Sequence, residues 1–254
     1  MVPAIAVATL ARPPGPAFAE YEIPEVDAEK GAIEAEYRGA SHWGLPPAEE
    51  TGEGELDALR QSHEIEFQYG VTDWWMLRLT PNVEQVAGDQ LELASLGIET
   101  QFVLVPRHDG VFGLAFMAGY GPYSFLVADG RPDEFEFGPV MELAPGPWLL
   151  TFNPRLVDQL GEFADQEWLG FEYATQARYS VTERWGVAVL MFGEIEELVH
   201  SGPFDAQSHV LGPSLYVFSA PDADREWNLG AGVLFGLTDA SPDTSLRITF
   251  AVEY

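Results

Sequence analysis

The chain has 254 residues and a formal net charge of -29, from 41 acidic and 12 basic side chains, and it contains no cysteine. So acidic a chain cannot neutralise a run of phosphates or dock on anionic head groups through a basic patch, which excludes nucleic acid as a partner. Disulfides, thiolate metal sites and cysteine nucleophiles are excluded too. The acidity fits a salt-rich habitat, solubilising surface loops, or an interior that attracts cations.

Taken in chain order, the first element is an apolar run from Val2 to Ala11 that leads through "RPPGP" to Ala17-Phe18-Ala19. This is a small-residue cleavage pattern, so residues 1–19 are expected to be a signal peptide, with Glu20 as the mature N-terminus. No Lys or Arg precedes the run, and the true start is therefore expected further upstream. Residues 20–30, "EYEIPEVDAEK", are acidic and aperiodic and read as a periplasmic leader. The barrel described next takes 31–254.

From Gly31 a two-residue period replaces any helical one. "EIEFQYGVT" sets Ile65, Phe67, Tyr69 and Val71 against Glu64, Glu66, Gln68 and Gly70. "SLRITFAVEY" sets Leu246, Ile248, Phe250, Val252 and Tyr254 against Arg247, Thr249, Ala251 and Glu253. About twelve such stretches, each long enough to cross a bilayer as a tilted strand, are expected near 31–42, 63–71, 74–83, 93–105, 110–120, 134–143, 147–156, 167–181, 185–196, 208–219, 226–237 and 245–254. Pro81, Pro139 and the "VAVLMF" run blur the third, sixth and ninth, which leaves ten to fourteen strands open. No run of about 18 apolar residues offers a transmembrane helix.

The connections are expected to alternate strictly, long then short, up to a final medium one. "WGLPPAEETGEGELDALRQ" is followed by "TD", and "GPYSFLVADGRPD" by "APG". A membrane barrel has short periplasmic turns on one rim and longer extracellular loops on the other, whereas a soluble sandwich has no reason for this rhythm. The expected fold is all-β: a single antiparallel up-and-down transmembrane β-barrel. In hydrocarbon a closed sheet satisfies every backbone group, and its outer face must be apolar. The polar face then lines the lumen. It carries Glu66, Glu99, Glu136, Glu142, Glu172 and Glu194, the cations Arg78, Arg155, Arg178 and Arg247, and Gln101. Trp43, Trp74, Trp75, Tyr120, Trp148, Trp168, Trp185 and Trp227 fall near strand ends, as interfacial girdles do.

On these residues the chain resembles a Gram-negative outer-membrane β-barrel. Its last alternating strand, ending on Tyr254, is similar to the C-terminal signal that such proteins offer the barrel-assembly machinery; the usual residue there is Phe. Within that class "EIEFQYGVTDWWMLRL" and "HVLGPSLYV" resemble the family named after the meta-cleavage pathway of phenol degradation, a set of outer-membrane transporters. The resemblance implies a bacterial outer-membrane location, with lipid and the assembly machinery as partners.

The expected function is a narrow pore or transporter for ions or small solutes, cationic or organic, with an acidic lumen that favours cations. The alternatives are a closed structural barrel braced by ion pairs, a membrane-embedded lipid hydrolase or acyltransferase, and a secreted soluble β-sandwich. No catalytic constellation is expected. Ser201 beside His200 is a poor pair, and His42, His63, His108 and His209 are scattered, without metal-ligand spacing. No cofactor or metal is expected.

Overall fold

The computed structural model describes residues 21–44, 60–85, 91–107, 110–122, 132–161, 164–165, 168–221, 223 and 225–254. The expected signal peptide, Glu20 and His108 lie outside these residues, as does most of the loop after the first strand. Twelve strands follow one another: β1 Ile33–Trp43, β2 Arg60–Thr72, β3 Trp75–Gln85, β4 Glu92–Val105, β5 Phe112–Gly121, β6 Asp133–Leu143, β7 Trp148–Leu160, β8 Leu169–Thr182, β9 Trp185–Ile195, β10 Ser208–Phe218, β11 Trp227–Gly236 and β12 Thr244–Glu253. Each pairs antiparallel with its neighbours in sequence, and β1 pairs with β12, from Glu34↔Glu253 to Trp43↔Thr244, to close the barrel. Closure leaves no open sheet edge.

The two faces differ as the alternation requires. On β2, Phe67 is 49% exposed and Glu66 is 1% exposed. The exposed apolar set runs round the barrel through Leu79, Ile98, Phe116, Phe152, Val189, Leu215, Leu229 and Ile248, while Glu66, Arg78, Gln101, Glu142 and Arg247 turn inward and are buried. Trp43 and Tyr120 mark one rim; Trp74, Trp148 and Trp185 mark the other, and all five are exposed.

The loop rhythm is softer than the sequence suggests. Connections 73–74, 144–147 and 183–184 are tight, and 44–59, 122–132 and 196–207 are long. However, 86–91 is no longer than 106–111, and 237–243 is shorter than 219–226. The strands consume residues that composition assigns to loops, since β3 runs through Pro81 to Gln85 and β4 starts at Glu92.

β3, β6 and β9 are strands despite their blurred patterns. Proline removes a ladder donor, and the barrel concentrates that loss between particular strands. The β6/β7 ladder passes from Phe137↔Leu156 to Met141↔Phe152 in one unbroken register, which sets Pro139 opposite Pro154. A Cβ on Gly138 would fall 2.0 Å from the Pro154 carbonyl oxygen, so only glycine lets the two strands nest there. β9 breaks the pattern for another reason. Val187 and Val189 are exposed outside, while Leu190 and Phe192 are buried inside. That strand is apolar on both faces, which corrects the expectation of a uniformly polar inner wall.

The core is therefore the lumen, and it is two-sided. Ala174, Ala188, Leu190, Phe192, Val210 and Leu234 form an apolar strip on β8–β11. A second patch joins Met76, Val103, Ala115, Met117 and Val140 on β3–β6. Charged groups fill the wall between them.

Candidate functional site: the filled lumen

Residues 21–30 form no strand. Rather than hanging free below the barrel, they thread its interior. Lys30 donates its backbone N–H to Asp73 in the β2–β3 turn, and Gly31 donates to the Gly70 carbonyl at 2.8 Å, so this end lies at the short-turn rim. Ten residues away, Tyr21 reaches Ser245 at 2.8 Å and His42 Nδ1 at 3.3 Å, beside the opposite rim. An extended chain of this length spans about 30 Å, roughly the thickness of a hydrocarbon core.

The segment's side chains match the two-sided lumen. Tyr21 and Ile23 pack on the β8–β11 strip, with the Tyr21 ring 4.9 Å from that of Phe192. Val26 and Ala28 join the second apolar patch. Between them Glu22 points to the charged wall, where its carboxylate takes Arg78 Nη1 at 3.1 Å and Arg155 Nη1 at 3.3 Å. The backbone is held as closely. Arg247 Nε donates to the Tyr21 carbonyl and Asn153 Nδ2 to that of Pro24, both at 2.9 Å. Gln101 Nε2 donates to the carbonyls of Glu25 and Asp27, and Val26 N–H donates to Glu142 Oε1 at 2.8 Å. Tyr21 also keeps a left-handed backbone (φ 46°), a conformation that a bulky residue holds only where its contacts impose it. Burial works against the charge on Glu22, and the guanidiniums of Arg78 and Arg155 on its two carboxylate oxygens offset that cost.

The lumen-lining residues expected from sequence fall into separate clusters. Arg78 gathers Glu66 (3.6 Å), Glu99 (3.5 Å) and Gln101 (3.3 Å). Arg155 binds Glu136 at 3.0 Å and lies opposite Glu172 in the β7/β8 register; Glu172 in turn lies opposite Glu194 on β9. Arg178 pairs with Glu25, and Glu142 with Arg107 at 2.5 Å. Arg247 stands apart, near the Tyr216 hydroxyl. Sequence reading missed Arg38, which holds Glu36, Glu64 and Glu66, although its position in the β1 alternation marks it as inward. Glu22 and Asn153 were missed as well. Nothing in an aperiodic leader marks a residue as the partner of strands over a hundred positions away.

Of the scattered histidines, His200 binds Glu197 at the exposed rim. His42 accompanies Ser245, 2.8 Å apart, and both meet the Tyr21 hydroxyl. His63 and His209 each take a tyrosine hydroxyl on Nδ1, from Tyr37 at 2.8 Å and Tyr173 at 3.0 Å. Among the described residues no cluster of His, Asp and Glu could hold a metal ion. Beside the segment, a cavity of about 460 Å³ opens toward the short-turn rim past Glu183, Pro221 and Glu226.

Fold and lumen together define the class: a closed up-and-down barrel of the outer-membrane kind, with its interior occupied by its own N-terminal segment. No protein-family model matches the chain, and no curated protein matches it. Solved structures do. A COG4313 outer membrane channel from Pseudomonas putida F1 superposes with a TM-score of 0.59 over 92% of this chain and 99% of that one, at 10% identity. The KdgM porin gives a TM-score of 0.50 over 87% of this chain and 98% of its own, also at 10% identity. At such identity the likeness establishes the fold, shared with bacterial outer-membrane channels.

Proposed function

We propose that this chain is an outer-membrane channel for ions or small solutes, held shut by segment 21–30. The docking of Glu22 between Arg78 and Arg155 carries the reading. A barrel kept only for rigidity could pair its inward arginines with wall carboxylates, as Arg38 does with Glu64 and Glu66. Here two arginines are instead shared with a strand-free segment, which can leave while the sheet stays closed. Support also comes from the outer face, which suits hydrocarbon, and from the porins and channels of like fold. In this reading the lumen is acidic and favours cations once open, and His42 and Ser245 anchor Tyr21 without acting as base and nucleophile. The resemblance to the phenol meta-pathway transporters rests on β2–β3 and β10, the strands that "EIEFQYGVTDWWMLRL" and "HVLGPSLYV" form.

Planar bilayers test the reading. Purified wild-type protein should pass little current, and a form lacking residues 20–28 should show discrete, cation-preferring steps. A truncated barrel that folds and stays electrically silent would overturn it.

A further inference from the structure

The cavity beside the segment has an unusual wall. Nine carboxylates but only three guanidiniums line it. Asp27, Glu34, Glu36 and Glu253 crowd one side, where Glu36 meets Arg38 at 3.3 Å and Glu34 accepts from Gln68 Nε2 at 2.6 Å. The other side is an aromatic ledge: Tyr216 and Phe218 lie with ring planes 13° apart and centroids 6.2 Å apart. Arg178 already uses this ledge, its guanidinium carbon 5.6 Å from the Tyr216 ring and 5.1 Å from the Phe218 ring. Its Nη1 meets Glu25 at 3.1 Å, so a delocalised cation sits here between aromatic faces and a carboxylate. Gln176, which lines the same cavity and is 2% exposed, has a side-chain oxygen that accepts no hydrogen bond from the described residues. An acceptor buried without a donor is costly, and a ligand N–H would satisfy it.

We propose that this vestibule is a binding site for organic cations, small ammonium compounds with an apolar body. The nitrogen lies among the carboxylates of Asp27, Glu34, Glu36 and Glu253, and the body lies against Tyr216 and Phe218. An aromatic body can stack or pack edge-on against those rings; an inorganic cation would use the acids but not the ledge. The site rests on the channel reading, because its mouth faces the short-turn rim and its floor is the segment.

Titration calorimetry on the full chain in detergent tests it, with benzylammonium, methylammonium and benzyl alcohol as probes. Benzylammonium should bind about tenfold more tightly than either of the others, as packing of its ring on the ledge allows. Glu34→Gln with Glu253→Gln should weaken both cations, and Phe218→Leu should weaken benzylammonium while sparing methylammonium. Equal binding of the two cations, or no heat from any probe, would overturn the site. Because those two outcomes are read on wild-type protein, they stand even where a variant fails to fold. A pore that conducts after truncation but is not blocked by benzylammonium from the short-turn side would sink the site alone; a silent truncated barrel would sink the channel reading instead.

Discussion

Glu22 and Arg78 meet at 3.1 Å inside the barrel, joining a segment outside the sheet to the middle of a strand 56 positions away. Arg155 completes the grip at 3.3 Å on the other carboxylate oxygen. Without the Glu22 carboxylate Arg78 keeps Glu66 and Glu99 and Arg155 keeps Glu136, so the loss falls on the segment, which gives up charge-assisted hydrogen bonds of about 1.5–3 kcal/mol each. Glu22→Gln is therefore expected to loosen the segment and raise single-channel open probability in planar bilayers, with the barrel still folded by heat-dependent gel mobility.

Gly70 offers a steric version of the same experiment. A Cβ there would lie 1.8 Å from the carbonyl oxygen of Glu29, backbone that cannot yield without moving the segment. At Gly97 the nearest atom, Thr80 Cβ, is 3.4 Å away, an ordinary contact. Gly70→Ala is expected to dislodge the foot of the segment and increase both conductance and protease cleavage near residue 30. Gly97→Ala should match wild type in both measurements.

Most of the barrel was legible in the sequence, because a wall with lipid on one side and a charged lumen on the other must alternate. All twelve expected stretches are strands, and Glu66 and Phe67 divide between the faces as their spacing implies. β9 misled for a physical reason: Val189 and Leu190 are both apolar since that strand meets hydrocarbon outside and Tyr21 within. The segment's place was not legible. Its contacts, Glu22 with Arg155 or Val26 with Glu142, join residues far apart in sequence, and an extended chain bound by scattered partners leaves no period behind.

Selectivity should follow the lumen carboxylates once the segment is released. Glu136 is paired with Arg155, and Glu172 faces the same arginine across the β7/β8 register. Replacing both by Gln leaves Arg155 less neutralised and tilts the wall field toward positive. In the form lacking residues 20–28, the reversal potential under a salt gradient is expected to shift toward anions. An unchanged potential would remove both residues from ion selection.

Closure can be probed at Tyr254. Its N–H donates to the Ile33 carbonyl at 2.9 Å and its carbonyl accepts from Ile33 N–H at 3.3 Å, while its ring lies under Arg225, with the guanidinium carbon 4.5 Å from the centroid. The backbone bonds survive any side chain, so Tyr254→Ala removes the ring and its cation contact but leaves the ladder. That contact is exposed and should carry only about 0.5–1 kcal/mol, too little to unfold a twelve-strand barrel. If the ring is also read during insertion, Tyr254→Ala should cut the yield of folded protein in outer membranes severalfold while leaving the denaturation midpoint of the purified barrel nearly unchanged. Tyr254→Phe should restore the yield. A yield drop matched by a large stability loss would instead assign the residue to closure alone.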